Sequence, residues 1–196
     1  MHKLFFLFAI SISCVANVAG AAPVEYEIDP SHTYPSFEAD HMGISVWRGK
    51  FNKTSGKVTL DKEKGQGNIA ITIDLDSVDF GHPTMNTWAR GESLFDTERF
   101  PPATYKGKLE GFVAGAPTQV VGQLSLHGVT RSLDLKINSF KCVPHPLHKR
   151  ELCGADATTT FNRDDFGLDV GKSFRFRMDV TLRIQVEAVA VSSNSN

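Results

Sequence analysis

The sequence has no surplus of charge: 21 Lys and Arg stand against 22 Asp and Glu, a formal net charge of −1 over 196 residues. A surface that binds polyanions needs a basic excess, so nucleic acid is not among the expected partners. Intrinsic disorder needs the opposite deficit, and 41% apolar against 22% charged residues excludes it. Beyond Ala22 no apolar run approaches the ~20 residues of a membrane-spanning helix. There is no nucleophile elbow, HExxH helix, phosphate-binding glycine loop or dinucleotide fingerprint, so motif reading assigns no catalytic residue and no cofactor. Cysteine is scarce, with three in the chain, and nothing resembles a linker or an internal repeat. One domain is the expectation at this length.

What is present begins with Met1 to Ala22. A basic start at His2 and Lys3, the apolar run from Leu4 to Ala16 and the small-x-small sequence Ala19-Gly20-Ala21 together read as a secretory signal peptide. A membrane anchor fits less well, because the run is short and broken by Ser and Asn. The expected boundaries are therefore a cleaved segment 1–21, a single β domain over 22–191 and a flexible tail over 192–196. Export would place the protein in the periplasm of a Gram-negative source. Cleavage removes Lys3, Phe5, Phe6, Phe8 and Cys14, which leaves 20 basic residues against 22 acidic and eleven of the fourteen Phe.

The two remaining cysteines, Cys142 and Cys153, would then meet an oxidising compartment, where a disulfide is the plain expectation. The sharper alternative is a metal site, since His145 and His148 lie between them and the four side chains are of the kinds that zinc prefers. Pro144 and Pro146 stiffen that segment, and its spacing matches no usual zinc motif, so the disulfide is preferred.

Periodicity makes the fold all-β. Phe174, Phe176, Met178, Val180, Leu182, Ile184 and Val186 alternate with polar residues, which predicts one long strand with a dry and a wet face. The same period of two appears at Ile69, Ile71, Ile73 and Leu75, at Leu124 and Leu126, at Leu133, Leu135 and Ile137, and at Phe37, Ala39 and His41. Pro35 marks a strand beginning or an edge. Turn signals at 52–56, 62–67, 115–117 and 127–128 join these runs into an antiparallel barrel or sandwich. A helix is predicted over Thr84 to Phe95, capped by Thr84 and weakened by Gly91.

Two polar groupings could carry function. Asp29, His32 and His41 could meet a head group or a metal, but a hydrogen-bonded corner is the simpler reading. Arg163 in Arg163-Asp164-Asp165-Phe166-Gly167 could hold an anion or pin a loop.

Taken in order, Tyr26-Glu27-Ile28-Asp29-Pro30-Ser31-His32-Thr33, Phe37-x3-His41, Arg48-Gly49-Lys50-Phe51, Leu94-Phe95-Asp96 with Phe100-Pro101, Gly122-x-Leu124-x-Leu126-x-Gly128-Val129-Thr130-Arg131 and Arg163-x2-Phe166-Gly167 resemble the YceI-like family of exported proteins. The resemblance spans nearly the whole chain after the leader. Pro35 and the Cys142 to Cys153 segment depart from the family pattern. It implies an extended, lipocalin-like antiparallel barrel of eight strands with a short helix near its mouth. It also implies a non-enzymatic carrier whose partner is a long-chain isoprenoid or a fatty-acid-like lipid. On that basis Phe37, Phe51, Trp88, Leu94, Phe95 and Phe176 are the expected tunnel or mouth lining, with His41 and Arg163 as head-group contacts. A homodimer is left open.

Overall fold

The computed structural model describes residues 22–147 and 149–192. The leader 1–21, His148 and tail residues 193–196 lie outside the described residues. The strands are β1 (Val24–Ile28), β2 (Tyr34–His41), β3 (Ser45–Phe51), β4 (Thr54–Asp61), β5 (Gln66–Asp74), β6 (Val78–Asp79), β7 (Pro102–Glu110), β8 (Gln119–Leu126), β9 (Val129–Ser132), β10 (Leu135–Pro144), β11 (Glu151–Asn162) and β12 (Asp179–Ala190), with one helix, α1 (Pro83–Arg90). Every pairing is antiparallel. Strands β1, β4, β5, β7, β8, β10, β11 and β12 form a ring, closed where β12 meets β1 in the register Tyr26↔Ala190 and Ile28↔Ala188. The result is an eight-stranded antiparallel barrel. Closure matters physically, because it pairs most strand edges along the ring; among the described residues the outer edge of β9 and the β11 edge beyond Thr158 have no strand partner.

One end of the barrel is extended. Where β1 leaves β12, β2 takes its place (Val180↔Ala39 through Gln185↔Tyr34), and β3 and β6 follow outward from it. This end, called upper here, also carries the β2–β3 turn, α1 and the segment from Arg163 to Met178. The lower end carries the β4–β5, β7–β8 and β10–β11 turns. The twelve residues of β11 and β12 make the barrel tall, about 30 Å along its axis at ~3.3 Å per residue and a tilt near 40°.

The period-two pattern is explained by this architecture, with one face of each strand turned inward and the other wet. Two expectations are corrected. The alternation from Phe174 to Met178 is not strand, since β12 starts only at Asp179. Gly171 and Arg175 both adopt left-handed backbone, at φ +84° and +63°, which folds this stretch over the upper end instead. The helix is shorter and earlier than predicted. Pro83 occupies its first turn, where a missing N–H costs nothing, and the His82 side chain rather than Thr84 accepts the Met85 N–H. Gly91 ends it. The start of β2 at Tyr34 agrees with the boundary that Pro35 signals.

Candidate functional site

The barrel interior is hollow. An upper chamber of ≈ 320 Å³ and a lower one of ≈ 170 Å³ share Pro35, Ile73, Leu124 and Leu182, which form a waist between them. The walls of both are almost entirely apolar.

Phe37 shows how sequence builds the upper wall. It points inward from β2 and lies opposite Gly49 on β3, where a Cβ would stand 2.5 Å from its Cζ. The ring therefore lies over bare backbone and packs against Phe51 (5.6 Å) and Phe80 (5.3 Å). Phe51 in turn meets Phe95 at 5.6 Å. α1 and the turn that follows it bring Trp88, Leu94 and Phe95 to the same chamber, and the segment after Arg163 brings Phe174 and Phe176. Gly171 is required there, because a Cβ would approach the Phe176 ring to 2.7 Å.

The structure thus puts Phe37, Phe51, Trp88, Leu94, Phe95, Phe176 and Arg163 on one cavity wall. His41 is not on that wall. Its ring stacks on Trp47 at 4.2 Å and meets the edge of Phe176 at 5.1 Å, so it supports two rings that are. Sequence reasoning missed Trp47, Phe80 and Phe174. Trp47 shares the period-two face of Phe51 and Phe174 that of Phe176, signals that were available; Phe80 lies outside the regular strands and carried none.

Two charged groups reach the upper chamber, and both are occupied. Arg163, 7% exposed, donates from Nη1 to the Leu168 carbonyl and from Nη2 to the Val170 carbonyl at 2.6 Å. Burial pushes its guanidinium below the usual pKa, while Asp169 and Asp164 oppose that shift. It pins the overlying segment through backbone carbonyls. Asp40 accepts the Arg177 backbone N–H at 3.1 Å, the Gly43 N–H, and the Arg177 guanidinium at 3.1 Å. Donation from the Arg177 backbone, above all, keeps its carboxyl below the ordinary pKa.

A polar latch stands at the lower end, beside the lower chamber that Tyr26 lines. The buried Tyr26 hydroxyl donates to Glu151, whose other oxygen accepts from Lys62 Nζ at 2.6 Å. Burial works against the Glu151 charge, but Lys62 and Tyr26 outweigh it and hold its pKa below the usual range. Nearby, Cys142 and Cys153 pair directly across β10 and β11 and form the disulfide, S–S 2.04 Å. That bond consumes the two thiolates on which a Cys-His metal site would depend. On the chain-entropy model the bridge stabilises the fold by about 3 kcal/mol. Replacing both cysteines by serine is expected to lower the melting temperature by roughly 6–12 °C, read by circular dichroism.

The Asp29 corner is structural. Ser31 Oγ and Asp29 Oδ2 approach the same His32 nitrogen, Nδ1, at 3.1 and 2.7 Å. A Ser-His-Asp relay needs both ring nitrogens, so this geometry does not serve one. Burial pushes Asp29 up, but bonds from Ser31 and His32 prevail and its pKa falls to about 2. His32 is raised, chiefly by its bond to Asp29. The Asp29 contribution to stability is therefore complete above the ordinary carboxyl pKa and is lost as pH falls through about 2. That of His32 is complete below 6.5 and is lost as pH rises through its elevated folded value. Asp29→Asn is expected to return His32 toward its ordinary pKa in an NMR titration; an unmoved His32 would show that the raise has another source.

Comparison with known proteins places this geometry. The family model described as a YceI-like domain matches residues 26–188. A UPF0312 protein of Shewanella putrefaciens is 30% identical over 194 residues, covering 96% of this chain and 99% of its own. A UPF0312 protein of Vibrio cholerae is 25% identical over 187 residues, covering 93% and 97%. Among solved structures, Burkholderia cenocepacia BcnA superimposes with a TM-score of 0.65 at 19% identity, covering 82% of this chain and 98% of that one. A polyisoprenoid binding domain from Saccharophagus degradans does so at 0.61 and 19%, covering 86% and 99%.

Proposed function

We propose, from the premise that this chain belongs to the YceI-like domain family, that it is a binding protein for a long-chain isoprenoid or related amphipathic lipid held along the barrel axis. The observation that carries this reading is the waist: four apolar residues belong to both chambers, so one extended tail can lie through both. The polyisoprenoid-binding description of the Saccharophagus neighbour supports an isoprenoid as the ligand class. The role is binding and carriage rather than catalysis, because the charged groups at the chamber are engaged in holding the fold. The head group sits at the upper mouth, beside His41 and Arg163, since the lower end is latched by Tyr26, Glu151 and Lys62. With the leader 1–21 read as a signal peptide, the site of action is the periplasm.

Competition between a fluorescent fatty-acid probe and prenols of increasing length tests this reading on the whole protein. Each buried methylene contributes about 0.8 kcal/mol before ordering costs, so affinity should rise roughly tenfold or more per five-carbon unit until the tunnel is full. Displacement that is absent, or independent of length, would contradict it.

A further inference from the structure

Three separate segments form the rim of the upper mouth: residues 41–50 from the β2–β3 hairpin, 82–91 from α1 and its caps, and 170–178 above the chamber. Each exposes large apolar side chains to solvent. Met42 is 52% and Ile44 78% exposed in the hairpin turn, Trp88 37% on α1, and Phe174 71% in the overlying segment. Trp88 and Phe174 also line the tunnel, so the apolar rim is continuous with the apolar interior. The hairpin turn joins it through His41, whose ring touches Phe176.

The charge of this rim differs from that of the chain. The three segments hold Arg48, Lys50, Arg90, Lys172, Arg175 and Arg177, with acids only at their immediate borders, Asp40, Glu92, Asp169 and Asp179, in a protein whose overall charge is −1. Acids on flanking elements do face some of these bases: Asp40 meets Arg177, Asp164 meets Lys172, Glu38 meets Arg48, and Asp76 lies 3.6 Å from Arg90. In the first three pairs the base is the exposed partner, at 72% against 3% for Arg177 and Asp40, 58% against 31% for Lys172 and Asp164, and 67% against 24% for Arg48 and Glu38. Arg175 forms no ion pair with any described residue.

Apolar side chains at a tip, ringed by outward basic groups, suit an interface of acyl chains beneath anionic head groups. We infer that the upper rim is a membrane-docking surface that seats the tunnel mouth on an anionic lipid bilayer, with Met42, Ile44, Trp88 and Phe174 entering the head-group boundary. This rests on the carrier reading for its purpose: a lipid that leaves a bilayer at a seated mouth never has to cross water.

The test is flotation of the full-length mature protein with vesicles of phosphatidylcholine and phosphatidylglycerol at about three to one, alongside separate extraction of co-purified lipid. Wild type should float, and more weakly with phosphatidylcholine alone. Met42→Ser combined with Ile44→Ser, both outside the tunnel wall, should lower the vesicle-bound fraction about fivefold or more. Arg175→Glu should weaken only the anionic vesicles. Equal flotation of wild type and the serine double variant would overturn the inference. So would a dimer that the double variant dissolves, with no vesicle binding, since the rim would then seat a second copy. Flotation of a protein that yields no extracted lipid keeps the docking surface and removes the carrier; a lipid-loaded protein that never floats does the reverse.

Discussion

Leu182→Trp is expected to exclude long-tailed lipid from the protein and to shift whatever remains bound toward shorter chains. Leu182 is half-buried on β12, paired with Phe37 on β2, and belongs to both chambers. An indole there fills the waist, and a tail entering from the upper mouth must stop above it. Overpacking a filled core typically costs ~1–3 kcal/mol, but here the added atoms enter a void, so the cost to the fold should lie at the low end of that range. The lipid extracted from the variant should fall roughly tenfold for the longest species, on the loss of the few methylenes that the lower chamber holds. Leu182→Ala is the control, because it widens the waist and should retain the long tails. Unchanged lipid length in a folded Leu182→Trp protein would mean that the two chambers are not used as one tunnel.

Arg163→Met is the second change with a large expected effect, and its effect is on the fold. Truncating the guanidinium leaves the buried Leu168 carbonyl and the half-buried Val170 carbonyl without their donors. Each unsatisfied buried group costs about 1–3 kcal/mol, so a loss of roughly 2–5 kcal/mol is expected, with a melting temperature lower by about 5–15 °C. The damage should be local first. The amides of 167–177 should lose hydrogen-exchange protection while those of β11 and β12 keep theirs. Arg163→Lys should rescue little, since an ammonium lacks the planar fork that spans two carbonyls. Full stability in Arg163→Met would show that the overlying segment is held by its apolar contacts alone.

The contrast between these two positions shows what the sequence could and could not disclose. Strand faces were legible because burial against the tunnel and exposure to water alternate residue by residue, as at Phe37 on β2, whereas Phe51 was expected on the wall through the family resemblance. The cysteine pair was legible by counting, since Cys142 and Cys153 are the two cysteines outside the expected leader and allow one pairing. The helix start was misread from Thr84 although Pro83, in the first turn, marked His82 as the cap. The continued alternation from Phe174 to Met178 imitated a strand, and only the left-handed backbone at Gly171 and Arg175 separates the two. The role of Arg163 was not legible in any detail, because its partners are backbone carbonyls and these have no signature in side-chain identity. The waist was hidden for a different reason. Pro35, Ile73, Leu124 and Leu182 come from four strands spread over the chain, and only ring closure brings them together.

The central claim is that one lipid occupies the barrel. Native mass spectrometry of the protein purified gently from its own host, followed by denaturing extraction, addresses it without any variant. A mass increment equal to one isoprenoid or related amphipathic lipid in near-equal amount is expected, released on denaturation and recovered in the organic phase, with the Cys142–Cys153 disulfide intact. Protein of bare polypeptide mass under the same gentle conditions, or an increment matching bound zinc with two free thiols, would contradict it.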